Sequence, residues 1–272
     1  MDEAYIPSYI KIDKIDINTT GAQGSSSSYI TEAWVYVNGT EMGAYPLPAI
    51  IPILAEGKHN IKVAPGIKLN GVSTTRVPYP MVEPVEFEVD LIKDSIQDVH
   101  VGCNYFSTSQ FALIEGFERN NLDFEATSTN LAEWRVSSIG IDPPSYVFEG
   151  NHSSMAVLDD EDNFWQIRTK LLYENLPKSG VPSFIELNFK TNTTITLSLI
   201  PYSGNSSGAP EDIIYLSPTD EWKKIYVNLT STISYDVNHN NYRFMLSAIH
   251  TNGTEESIVL VDNFKIVYRE IN

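Results

Sequence analysis

Residues 257–268 read SIVLVDNFKIVY. Apolar side chains alternate with others along the stretch, the period-2 signature of a strand that buries one face. Asp262 interrupts it, beside Asn263 and between Val261 and Phe264. The same period dominates upstream. YIKIDKIDI (residues 9–17) alternates throughout and predicts one strand, and TTGAQGSSSS after it predicts a flexible loop. AWVYVNGTEMGAYPLP predicts a hairpin turning at Asn38-Gly39, because that dipeptide tolerates the positive φ of a two-residue turn. Further strands are predicted at IIPIL, KHNIKVAPGI, PVEFEVDLI (84–92) and QDVHVGCNY (97–105). Long helical patterns are absent.

At 272 residues the chain exceeds a usual single domain, and 42% hydrophobic content is enough for real cores. The formal charge is −17 and the pI about 4.6. Such a surface repels phosphate backbones and anionic headgroups, which argues against nucleic acid and lipid surfaces as partners. One cysteine, Cys103, excludes an intrachain disulfide and cysteine-rich zinc sites, and reads as a buried apolar residue. No segment is apolar for long enough to span a bilayer as a helix. The start, MDEAYIPSYI, has neither a basic nor an apolar signal region. Low Lys plus Arg, with abundant Tyr, Asn, Ser and Thr, favours a mature cell-surface β-protein over a cytosolic one.

Texture changes near residues 107–109, predicting domains at 1–108 and 109–272. Charges are 7 basic against 13 acidic before that boundary and 11 against 22 after it, so neither half is a basic recognition module. In the first half, residues 35–63 carry a strand, Asn38-Gly39, Gly43, Pro46 and then Glu56-Gly57-Lys58-His59. This resembles small PEGA-type and immunoglobulin-like β-sandwich modules. The second half offers eight or more strands at regular spacing. Its phrases GFE (116–118), EWKKIYVNLT (221–230) and VLVDNFKI (259–266) resemble jelly-roll domains grouped with carbohydrate-binding and galactose-binding-like modules. The expected fold is therefore all-β, an immunoglobulin-like sandwich followed by a jelly roll.

The resemblance implies that the last strand lies beside the first. Glu118 and Asp262 are then candidates for a structural Ca²⁺, with backbone carbonyls and Asp123 completing the six to eight oxygens calcium needs. The other reading of Asp262 is a metal-free carboxylate that faces out or caps a loop amide. Sugar-binding jelly rolls present flat rings to the apolar faces of pyranoses. Trp134, Tyr146, Trp165, Tyr202, Tyr235 and Tyr242 are the candidates here, while Trp222 belongs to the fold's own phrase and is expected in the core.

No nucleophile elbow, zinc-protease, P-loop or dinucleotide motif is present. The run Asp159-Asp160-Glu161-Asp162 fails as an EF-hand loop, because Phe164 and Leu171 fall where oxygens are needed. The five histidines share no ligand spacing, and nothing selects a carboxylate pair for glycoside hydrolysis. The chain is expected to be non-enzymatic. The two halves together resemble ectodomains of Bacteroidota surface lipoproteins, whose lipid-bearing cysteine would stand at the position of Met1 or shortly before it. That implies a cell-surface, outer-membrane location and a scaffold role beside outer-membrane proteins or other lipoproteins. Residues 66–84, with Arg76, Tyr79 and Met81, have a composition suited to that interface. The alternative is a glycan-binding protein that uses its jelly roll, and a third reading is an adhesin.

Overall fold

The computed structural model describes residues 6–204 and 206–270, and nearly all of its regular structure is strand. The chain divides into two compact units, residues 1–22 with 26–109, and residues 23–25 with 110–272.

The first unit contains β1 (Ser8–Ile12), β2 (Ile15–Asn18), β3 (Glu32–Val37), β4 (Thr40–Pro46), β5 (Ala49–Ile53), β6 (Gly57–Lys68), β7 (Arg76–Pro78), β8 (Val85–Leu91), β9 (Ile96–Asp98) and β10 (Val101–Asn104). They form sheets β5-β1-β9, β10-β2 and β4-β3-β6-β7, with β8 also on β6. The single strand expected over 9–17 is corrected to two, which belong to different sheets. The buried residues are Ile10 and Ile12, then Ile15 and Ile17. Their parity changes at Asp13-Lys14, where the chain crosses between sheets. The stretch 97–105 breaks at the same level, and β9 and β10 run parallel to β1 and β2. Asn38 and Gly39 turn the β3–β4 hairpin with φ of 50° and 81°, the left-handed pair a tight hairpin requires. Asn38 also accepts the Asn60 N–H (3.0 Å), tying the turn to β6.

Residues 66–84 are part strand and part turn, exposed over residues 71–76 and buried at Tyr79 and Met81. They hold the end of β6, a 3₁₀ turn (Leu69–Gly71) and β7. Tyr79 and Met81 are 1% and 0% exposed, so neither can meet a partner, and Arg76 pairs with the buried Glu32 (3.3 Å). Cys103 is fully buried, and burial pushes its thiol up to about 11.

The second unit contains β11 (Ser109–Glu115), β12 (Phe124–Ala126), β13 (Trp134–Ser138), β14 (His152–Leu158), β15 (Phe164–Thr169), β16 (Tyr173–Glu174), β17 (Ser183–Thr191), β18 (Ile195–Ser203), β19 (Ser206–Ser207), β20 (Glu211–Leu216), β21 (Thr219–Asn228), a short helix α1 (Thr230–Tyr235), β22 (Asn241–Ile249) and β23 (Ser257–Arg269). One sheet runs β13-β14-β23-β17-β21, with β11 also on β23. The other runs β12-β15-β22-β18-β19, with β16 on β22 and β20 on β18. Trp165, Ile167, Leu197, Phe244 and Leu246 of the second sheet share a buried core with Ile185, Leu187, Val259, Val261 and Phe264 of the first. This is a two-sheet β-sandwich of jelly-roll type.

The place of Asp262 follows from β23. Its core residues are Val259 and Val261, then Phe264 and Ile266, again with a change of parity. The register against β17 pairs Glu186 with Lys265 but Asn188 with Asp262, so β23 carries one extra residue there. Asn263 takes φ 51°, as the left-handed residue of a bulge does. Asp262 accepts the Asn263 N–H (2.7 Å) and the Ser153 hydroxyl (2.6 Å). A carboxylate acceptor in place of the lost ladder bond closes the bulge and joins it to β14.

Candidate functional site

The face of the β12-β15-β22-β18-β20 sheet that points away from the core carries mostly polar side chains, exposed toward its edge strands, while Met245, Ser198 and Ile200 are buried along its middle. On β15, Trp165, Ile167 and Thr169 point in, which turns Gln166 and Arg168 outward. On β22, Tyr242, Phe244 and Leu246 point in, which turns Arg243, Met245 and Ser247 outward. Antiparallel register assembles these into rows. Glu125, Arg168, Met245, Ser198 and Asp212 form one row across five strands. Gln166, Ser247, Thr196 and Tyr215 form the next. At about 4.8 Å per strand the first row spans roughly 19 Å.

Its side chains hold one another in place. Arg168 Nε (2.9 Å) and Arg243 Nη1 (3.3 Å) both donate to Glu125 Oε1. The Arg243 guanidinium lies 5.7 Å from the Tyr202 ring centroid, a cation–π contact. Ser198 Oγ (2.8 Å) and Tyr215 Oη (2.6 Å) donate to the two oxygens of Asp212. The bond to Asp212 raises the pKa of the Tyr215 hydroxyl. Thr127 (2.8 Å) and Thr129 (2.9 Å) donate to Gln166 Oε1, which pins a rim loop. Tyr215 is 62% exposed.

The six aromatic candidates do not converge. Tyr202 lies on this face, and Tyr235, 83% exposed, ends α1 in the stretch that leads into β22. Trp165 and Tyr242 are corrected to core residues, both 0% exposed, because strand parity turns them inward. Trp134 belongs to the opposite sheet and donates to Ser154 Oγ (2.9 Å). Tyr146 sits in a 3₁₀ turn, where its carbonyl accepts the Ser137 hydroxyl (3.0 Å). Trp222 is only half-buried, which corrects its placement in the core. It donates to the Ser145 carbonyl (3.0 Å) and packs on Phe148. Gln166, Arg168, Arg243, Asp212 and Tyr215 were missed by sequence reasoning. The signal was present, since each is set by parity against an apolar neighbour.

The carboxylates proposed for calcium are engaged by donors. Glu118 Oε1 accepts the N–H groups of Asn151 (2.7 Å) and His152 (2.9 Å). A Cβ at Gly150 would stand 2.3 Å from that oxygen, so only glycine admits this approach. Asp123 pairs with Arg119 (2.6 Å). Burial raises Asp262 to about 7; the Ser153 hydroxyl and the Asn263 and Glu149 backbone N–H groups pull it down, and the Glu149 charge pushes it up. Among the described residues no group of three or more His, Cys, Asp or Glu is arranged to hold a metal. N–H and O–H donors on these oxygens fit a hydrogen-bonded carboxylate rather than a cation ligand.

Two other clusters are accounted for locally. Ser257 Oγ lies 3.0 Å from His250 Nδ1, and His250 Nε2 lies 3.5 Å from Asp160. Ser257 is fully buried and its oxygen accepts the Thr251 N–H, so no substrate can reach it. A cleft of about 340 Å³ in the first unit is lined by Lys11, Asp13, Lys14, Asp16 and Asp98. These charges pair among themselves at 2.9–3.3 Å.

No protein-family model matches the chain, and no curated protein matches it. Among solved structures, the chain is similar to carbohydrate-binding modules of the β-sandwich superfamily (16% identity, 86% of this chain and 84% of that one, TM-score 0.39). It is also similar to the family 11 carbohydrate-binding module of Clostridium thermocellum in complex with a mixed-linked tetrasaccharide (14%, 58% and 94%, TM-score 0.39). A third is a cyclase from Fischerella sp. TAU (13%, 60% and 99%, TM-score 0.43). The likeness is one of general β-architecture, shared by binding modules and a cyclase alike, and it assigns no ligand to this chain.

Proposed function

We propose that this protein binds a glycan without transforming it, on the outward face of the β12-β15-β22-β18-β20 sheet. The observation that supports this is the pair of cross-strand rows, in which planar polar groups are fixed before any ligand arrives. A sugar chain offers closely spaced hydroxyls, which suit Gln, Asp, Glu and Arg, and C–H faces, which suit Tyr202 and Tyr215. Preorganisation favours affinity, because the ordering cost is already met. A row of roughly 19 Å suits an oligosaccharide segment better than a single sugar.

The test is titration of the full chain against a polysaccharide panel, with Tyr202→Ala and Tyr215→Ala as variants. Saturable binding that weakens at least about tenfold in either variant supports the reading, since one lost contact of about 1.4 kcal/mol gives that factor. No saturable binding to any polysaccharide would sink it. Of the three residues named for the scaffold reading, Tyr79 and Met81 are buried, and Arg76 keeps 44% of its side chain exposed. Cell-surface exposure is a separate proposal, supported by composition, and protease treatment of intact cells tests it.

A further inference from the structure

We propose that the sugar chain bound on this face is acidic, with a uronic-acid carboxylate received by Arg168 and Arg243. This rests on the glycan reading of the same face. Three other arginines of this acidic chain have near carboxylates of their own. Arg76 pairs with Glu32, Arg119 with Asp123 and Glu115, and Arg135 doubly with Asp142. Arg168 and Arg243 instead share a single oxygen of one carboxylate, Glu125. Each gives it one N–H, from Arg168 Nε and Arg243 Nη1; Arg243 Nε is itself buried without a partner and is not among the donors a ligand could reach. At the Glu125 end of the face two guanidiniums meet one carboxylate, while Asp212, the other carboxylate of the row, lies toward the opposite edge and is bound by Ser198 and Tyr215.

The geometry favours a planar anion. Arg243 stands two residues before Met245 on β22, and Met245 is the register partner of Arg168 on β15, so the two guanidiniums are diagonal neighbours. A guanidinium fork matches a carboxylate through two parallel N–H···O bonds. Tyr202 backs Arg243 from one side and holds its plane. Glu125 orients both arginines without consuming their remaining donors. The overall charge of −17 opposes a polyanion, but at physiological salt charges beyond about 8 Å are screened, and the local pair dominates.

The test uses the full chain at physiological salt with polygalacturonate, hyaluronate and alginate. Each is compared with its carboxyl-reduced form, and dextran sulfate serves as a non-carboxylate polyanion. Expected is saturable binding to at least one uronate polymer, at least about tenfold weaker to its carboxyl-reduced form. The double variant Arg168→Gln with Arg243→Gln loses a similar factor at unchanged circular dichroism. Arg168→Lys with Arg243→Lys, which keeps charge without the fork, falls between. Equal binding of the reduced polymer, binding to neutral glycans alone, or preference for dextran sulfate overturns the uronate inference and leaves the glycan reading standing. Absence of binding to every polysaccharide overturns both. If the double variant fails to fold, the wild-type comparison of each polymer with its reduced form decides alone.

Discussion

Asp262 concentrates the residue-scale physics of the fold. A fully buried carboxylate with a hydroxyl and an amide donor, but no cation against it, holds its proton up to about pH 7. Its folded-state pKa stands above the unfolded one, so folded protein binds the proton more tightly. The stability it contributes is full in acid and declines as pH rises from about 4 to about 7. Asp262→Asn lacks this titration. The melting temperature of wild type minus that of the variant should therefore fall across that window and level off above it. A difference that stays flat from pH 4 to 8 would remove the titration from Asp262. The donors on Glu118 and Asp262 lead to a second expectation, that EDTA leaves the melting temperature unchanged. A drop reversed by added calcium would put a cation at these carboxylates after all.

Strand parity decides which side chains become core and which become site. Trp165 and Arg168 lie on the same strand and face opposite ways. Trp165→Ala should cost about 3–5 kcal/mol, because it empties a large volume from a packed interior. Tyr215→Ala, on the exposed face, should cost well under about 1 kcal/mol and act on binding instead. Denaturant unfolding separates the two, and equal costs would contradict the assigned faces. Trp222 works at the level of a loop. It holds the 144–148 turn through the Ser145 carbonyl and the Phe148 ring. In Trp222→Ala, amide exchange should quicken at residues 144–148 and remain slow in β17 and β23. The hairpin at Asn38-Gly39 was legible because its chemistry is local. The breaks at Asp13-Lys14 and at Asp262-Asn263 were not recognised, although both show as a change of apolar parity.

For the whole molecule, an excess of 17 negative charges keeps copies apart near neutral pH. Solubility should pass through a minimum near the pI of about 4.6, measured as turbidity against pH. A minimum above pH 6 would mean that many carboxylates carry raised pKa values, as Asp262 does. The sequence by itself determined that the molecule is all-β, that Cys103 is a buried apolar residue, and that no familiar catalytic motif is present. Those properties follow from period-2 hydrophobicity and residue chemistry, both local along the chain. Only the tertiary structure decided the site. Glu125, Arg168, Arg243, Ser198 and Asp212 lie up to 118 positions apart along the chain, and strand register alone makes them neighbours. It likewise buried Tyr79, Met81, Trp165 and Tyr242, whose residue types suited a surface as well as a core. An aromatic side chain has the same chemistry on either face of a sheet, and its role is set by what the opposite strand and sheet place against it.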